Sequence, residues 1–256
     1  EMEKHADLIR PVRSYADIEQ NQTDGVMSAL LTGEEGEITM GNPDFLYFLY
    51  KLGMRMMTLT WNYENSLGFP NVRLDKKASA SSDRYCLSQN KGLKEQGIVF
   101  LEEMERLGMI IDVSHLSDAG FYDVLEHTTK PFVASHSNAR NVCPAVRNLT
   151  DDMVRRLAER GGITGINFCK EFLGKPDISQ NYLDQAVVHM KYLMNLGGED
   201  FVALGSDFDG ITRYHDLSDC SVMPKLVHTM KKAGLTPTQI EKICYKNTLR
   251  VYHELL

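Results

Sequence analysis

What most constrains this chain is an alternation along it: short apolar runs, each followed by a longer stretch whose apolar residues recur every three and four positions. The first pattern is that of buried strands and the second that of amphipathic helices, so the order reads as repeated strand and helix units around a parallel sheet. The strand candidates cover 26–31, 55–60, 109–114, 131–135, 163–168 and 201–206, six in all. Helix candidates cover 43–52, 92–107, 118–126, 151–159 and 180–196, and two more, 222–233 and 237–251, close the chain. Gly53, Gly108 and Gly197 each stand between a helix and a strand, where a left-handed turn residue is favoured. Gly234 reads as a helix stop and Thr236 as an N-cap.

This order predicts an α/β fold of the TIM-type (β/α)8 barrel class, and 256 residues suit one such barrel as a single domain spanning 1–256. Six parallel strands are two short of closure, and an opened barrel exposes strand edges and its interior. The expectation is therefore that the first two strands precede Glu1. The polar, aperiodic stretch 67–90 reads as a long strand-to-helix loop of the kind that rims barrel active sites.

Composition narrows the function. A formal charge of -7 without clustered Lys and Arg argues against a nucleic-acid surface and for a small-molecule ligand. Five scattered cysteines without CxxC spacing suit a reduced, cytoplasmic setting, and no apolar run is long enough to span a bilayer.

Four polar clusters fall at the C-terminal ends of strand candidates, where barrel enzymes place their chemistry. They are Glu34-Glu35-Gly36-Glu37, His115 after Ile110-Ile111-Asp112-Val113-Ser114, His136 after Phe132-Val133-Ala134-Ser135, and Asp207 with Asp209 in Gly205-Ser206-Asp207-Phe208-Asp209-Gly210. Two imidazoles with carboxylates suit Zn²⁺, which takes nitrogen and oxygen ligands and keeps a position open for water. The gap from His115 to His136 matches one strand-helix-strand step, which places the two on adjacent barrel strands. Singly, a strand-end His is often just a hydrogen-bonded loop residue, Glu35 a solvated acid, and Asp-Phe-Asp-Gly a plain turn. The joint pattern favours a metal centre.

Together with Leu52-Gly53-Met54-Arg55-Met56-Met57-Thr58-Leu59-Thr60 and Ser135-His136-Ser137-Asn138-Ala139-Arg140, these segments resemble successive motifs of the membrane (renal) dipeptidase family, in that family's order, from about Tyr15 to Tyr252. The resemblance implies a zinc-dependent dipeptidase with two zinc ions per active site, acting on dipeptides as a homodimer. By it the bridging carboxylate is Glu35, preferred to Glu34 and Glu37 on this ground alone. The second-zinc histidines are His115 and His136, and the last-strand Asp beside the bridging water is Asp207 rather than Asp209. Arg147 matches the Arg that holds the substrate's terminal carboxylate; a planar fork suits that group, and its plainer reading is a surface ion pair.

The chain departs from the family twice. No strand candidate ends in the His-x-Asp pair that supplies the first zinc; His5-Ala6-Asp7 has the letters but lies in a polar, helical-looking stretch, and His215-Asp216 follows Asp207 in a loop. Trp61 occupies the place where many members carry a substrate-contacting His, and reads as a pocket wall or as core packing. His127, His189, His228 and His253 read as helix residues. The competing functions are another amidohydrolase chemistry on an amide, lactone or phosphoester, and a non-catalytic metal- or peptide-binding fragment or pseudoenzyme.

Overall fold

The structure is a computed structural model that describes residues 2–71, 90–177, 180–212 and 216–256. Most of the loop expected over 67–90, Cys86, and His215 lie outside the described residues. The chain divides into two compact units, the first formed by the described residues of 1–70, 88–130 and 252–256, the second by those of 71–87 and 131–251.

In the first unit four strands pair in parallel and in chain order: β1 (Ile9–Val12), β2 (Met27–Gly33), β3 (Met54–Thr58) and β4 (Ile110–Asp112). Helices α1 (Tyr15–Asp24), α2 (Pro43–Leu52) and α3 (Glu95–Leu107) connect them, and α4 (Asp118–His127) follows β4. Chain-order parallel pairing with a helix after each strand is the βα repeat that the alternation predicts. Local chemistry sets the ends. Asn42 caps α2 by accepting from the Asp44 N–H at 2.9 Å with Pro43 in the first turn, and Gly53 at φ 113° stops it, a conformation that costs a side-chain-bearing residue.

β1 corrects the sequence reading. The stretch around Glu3 to Arg10 reads as polar and helical, and six strands are expected; instead a 3-10 turn, Met2–His5, leads into a seventh strand. Four residues containing a proline give too little periodicity to register, and β1 earns its place by pairing with β2 from Ile9↔Met27 to Val12↔Leu30. Helix α1 is missed for a related reason, since only Ile18 and Asn21 along it are buried.

In the second unit β5 (Val133–Ala134), β6 (Ile163–Ile166) and β7 (Val202–Leu204) are again parallel and in order, linked through α5 (Asp151–Glu159), α6 (Lys170–Leu173) and α7 (Tyr182–Gly197). Gly165 in β6 and Gly205 just past β7 lie against each other and against the Ser135 carbonyl; a Cβ on either would strike that backbone, so the chain there approaches as only glycines permit. The chain then runs through α8 (Met223–Lys232), α9 (Pro237–Glu241) and α10 (Asn247–Leu255). The single helix expected over 237–251 is interrupted by a π-helical turn, Lys242–Lys246. This wider turn immediately precedes Asn247, whose buried amide donates to the Glu199 and Val202 carbonyls at 2.9 and 2.8 Å and ties the helix under β7. Thr236 caps α9 as expected, through a bond from the Gln239 N–H at 3.2 Å.

Candidate active site

The first unit carries three of the sequence-identified groups. Glu34 and Glu35 follow β2, Trp61 follows β3, and His115 follows β4. His115 is buried and has a left-handed backbone at φ 69°, an uncommon state for a residue with a side chain. Asp112 and Ser114 set up the turn before it: Asp112 accepts from the Thr58 hydroxyl at 2.6 Å and from the Ser114 N–H at 3.0 Å. The His115 Nδ1 lies 2.9 Å from Asn62 Oδ1. A carboxamide oxygen only accepts, so Nδ1 carries the hydrogen and Nε2 presents its lone pair. That lone pair faces Glu34 Oε1 at 3.3 Å. Either a hydrogen on Nε2 or a metal ion satisfies this contact, and an imidazole beside a carboxylate is a donor pair that a metal ion takes.

The neighbouring Glu35 is engaged differently. Its Oε1 accepts from the Glu37 N–H at 3.0 Å and from Asn65 Nδ2 at 2.6 Å, and its Oε2 accepts from the Trp61 N–H at 3.0 Å. Glu35 thus laces the loop after β2 to the loop after β3, while Glu34 is the acid beside His115. Trp61 is 37% exposed, with its ring centroid 6.4 Å from that of His115 and 5.5 Å from that of Tyr63, so the core-packing reading does not hold.

The second unit carries His136 after β5, Arg147, and Asp207 after β7. His136 is buried, and its Nδ1 lies 2.6 Å from the Ser135 hydroxyl. Arg147 is only 4% exposed, which removes the surface ion-pair reading; its guanidinium stands over the Phe172 ring at 5.4 Å. Asp207, like His115, is left-handed, at φ 62°. Its Oδ2 accepts from Asn167 Nδ2 at 3.1 Å. Asp209 is exposed and Asp207 half-buried.

Beneath these groups lies a buried set of amides that sequence reasoning did not single out. The Asn138 side chain accepts from the Asn167 N–H and donates to the Asn167 carbonyl, both at 2.9 Å. Asn148 donates to the Cys143 and Phe172 carbonyls at 2.9 and 2.8 Å. His189 accepts from the Ala139 N–H at 3.1 Å and donates to the Leu173 carbonyl at 2.9 Å, so it is neutral with its hydrogen on Nε2; burial pushes its pKa down to about 4. Burial first, and the Glu171 carboxylate next, push the Cys169 thiol up to about 12, which disfavours its thiolate. Asn167 could have been found: it ends the apolar run Ile163-Thr164-Gly165-Ile166, the same signal that marks His115 and His136, but the strand expected over 163–168 absorbs it. The remaining histidines behave as read, His127, His189, His228 and His253 all lying in helices, and His5 precedes β1 rather than ending a strand.

Parallel βα repeats with histidine and carboxylate groups at the strand ends define the class as metal-dependent hydrolases of α/β barrel type. Within that class the chain belongs to the membrane dipeptidase family (peptidase family M19), whose model matches residues 1–255. That membership makes it a metal-dependent dipeptidase. A protein encoded 5' to pqqA in Klebsiella pneumoniae, itself uncharacterised, is 37% identical over 249 residues, 96% of this chain and 89% of its own. An uncharacterised dipeptidase of Schizosaccharomyces pombe is 36% identical over 79% of this chain, which spans 47% of that protein. Among solved structures, a metallopeptidase from Rhodobacter sphaeroides holding a phosphinate mimic of the dipeptide L-Ala-D-Ala aligns with TM-score 0.84 and 29% identity, covering 97% of this chain and 69% of its own. A probable dipeptidase from Pseudomonas aeruginosa shares the fold at TM-score 0.85 and 19% identity, over 99% and 76% of the two chains.

Proposed function

We propose that this protein cleaves dipeptides at a zinc centre, two ions per site by family resemblance, with His115, His136 and a carboxylate of the Glu34-Glu35 pair as ligands. The observation that carries the reading is the His115 Nε2 lone pair held opposite Glu34 Oε1 at 3.3 Å. The same geometry favours Glu34 over Glu35 as the ligand, since Glu34 Oε1 is the carboxylate oxygen beside the His115 ring, while Glu35 is turned toward the Glu37, Trp61 and Asn65 donors. When bound, zinc supplies Lewis acidity at the scissile carbonyl and a water acidified toward neutrality.

The chain's own groups do the rest. Asp207, at the end of β7, takes a proton and returns it to the leaving amine, and serves as a further ligand. Arg147 clamps the substrate's terminal carboxylate, which restricts substrates to very short peptides because a longer chain has no free carboxylate there. A phosphinate dipeptide mimic in the Rhodobacter relative supports dipeptides as the substrate class. Trp61 walls the pocket beside His115. A homodimer is proposed by the same resemblance. No described helix is long and apolar enough to cross a membrane. A cytoplasmic setting is proposed from the scattered cysteines without CxxC spacing.

The test is a panel of dipeptides, their C-terminally amidated forms, lactones and phosphoesters, assayed with and without chelator and zinc. Hydrolysis confined to free-carboxylate dipeptides and dependent on zinc is expected, with His115→Ala and His136→Ala losing both metal and turnover. Glu34→Gln should weaken zinc retention more than Glu35→Gln. Undiminished turnover in either histidine variant, or after exhaustive chelation, refutes the reading.

A further inference from the structure

Asp207 is held from two sides by residues outside any ligand set. From one side Asn167 Nδ2 donates to Oδ2 at 3.1 Å, with a longer bond to the His136 carbonyl at 3.4 Å. Asn167 is itself fully buried and immobilised: its Oδ1 accepts from the Cys169 N–H at 2.7 Å, and its backbone is clamped by the Asn138 amide. Its own hydrogens thus have fixed directions, and one of them points at Asp207. From the other side the carboxylate rests against Gly210. A Cβ built on Gly210 would collide with Asp207 Oδ1 and lie 3.2 Å from its Cγ, while the Gly210 N–H donates to the Asp207 carbonyl at 3.1 Å. Gly210 is exposed and is not among the positive-φ glycines, so its backbone does not require glycine. The missing Cβ makes room for the Asp207 carboxylate.

We infer that Asn167 and Gly210 are positioning residues for Asp207, one fixing Oδ2 by a hydrogen bond and the other leaving the space that Oδ1 occupies. The inference rests on the reading of Asp207 as the proton-carrying acid. A carboxylate on a left-handed loop residue has several rotamers open to it, and a proton carrier works only in the one that reaches the reacting atoms. Asn167 and Gly210 remove the others before substrate arrives.

The experiment uses purified zinc-loaded protein and four variants, Asp207→Asn, Gly210→Ala, Asn167→Ala and the double variant Asp207→Asn/Gly210→Ala, measured for kcat, KM and Tm on one dipeptide. Gly210→Ala should lower kcat by about 10- to 100-fold, as misplacement of a reacting group does, with KM and Tm nearly unchanged. Asn167→Ala should show the same split in kcat and KM, with a lower Tm because buried partners lose their bonds. Added to Asp207→Asn, Gly210→Ala should cost nothing further, since the group it displaces has lost its function. Full kcat in Asp207→Asn would sink the reading of Asp207. A crippled Asp207→Asn beside a fully active Gly210→Ala would overturn the positioning inference alone, and so would a further, additive loss in the double variant.

Discussion

Around His115 the groups nearest the ring's free face lie toward solvent, with Glu34 and Trp61 exposed and Glu35 only partly covered, while the Asp112–Thr58 and Asp112–Ser114 bonds that set its turn are buried. Around His136 and Asp207 the support is a buried set, with Asn138, Asn167 and His189 at 0% exposure and Asn148 at 1%. The two sets are equally polar and differ in what holds them. Exposed partners can exchange their bonds for water at little cost, so they orient a ligand without deciding whether the fold stands. Buried amides cannot, because a donor or acceptor left bare there costs about 1–3 kcal/mol, so the positions of His136 and Asp207 are tied to the same bonds that fix the second unit's core.

The comparison breaks if stability does not separate the two sets. The largest effect should come from Asn138→Ala, which strands both the Asn167 N–H and its carbonyl; a loss of about 2–5 kcal/mol by denaturant unfolding is expected, and less than about 1 would mean the set is not structural. His189 sharpens the point through pH. Its folded pKa is depressed to about 4 from an ordinary 6.5, so between those values the unfolded chain takes up the extra proton. The stability from neutral His189 is complete above pH 6.5 and lost as pH falls toward 4, on the order of 3 kcal/mol in all. His189→Gln should flatten that slope, and an unchanged slope would place the acid sensitivity elsewhere. In the first unit, Asn62→Ala should leave Tm nearly unchanged yet weaken zinc retention by about 10- to 100-fold, the usual penalty for removing the partner of a metal-binding imidazole. A large Tm drop there, measured by calorimetry on metal-free protein, would erase the difference between the units. The smallest effect belongs to Trp61→Phe: a change of a few-fold in KM with kcat preserved, as for a wall that touches substrate without joining the chemistry.

Periodicity alone located all six expected strands and set the bounds of α2 and α5 as observed, because those elements bury one consistent face and carry their own caps. It failed at β1 and α1, where short length and sparse burial leave no pattern to read. The site was legible to the same depth. His115, His136 and Asp207 announce themselves as polar residues ending apolar runs, and each sits just past its strand. What a run of letters cannot carry is side-chain direction. Glu34 and Glu35 are equivalent by composition and by position, and only the path of the chain after β2 aims one at His115 and the other at the Trp61 and Asn65 donors.

The sequence by itself thus determined the repeating strand-helix order, the family, and the residue types available for metal chemistry, since these follow from local periods and local spacing. The tertiary structure decided which acid meets the imidazole, that Arg147 is buried rather than on the surface, and that Asn167 and Gly210 flank the Asp207 carboxylate. Those outcomes depend on hydrogen bonds between residues as far apart as Asn138 and Asn167, or Asn167 and Asp207, which come within reach only once neighbouring strands have set the distance between them.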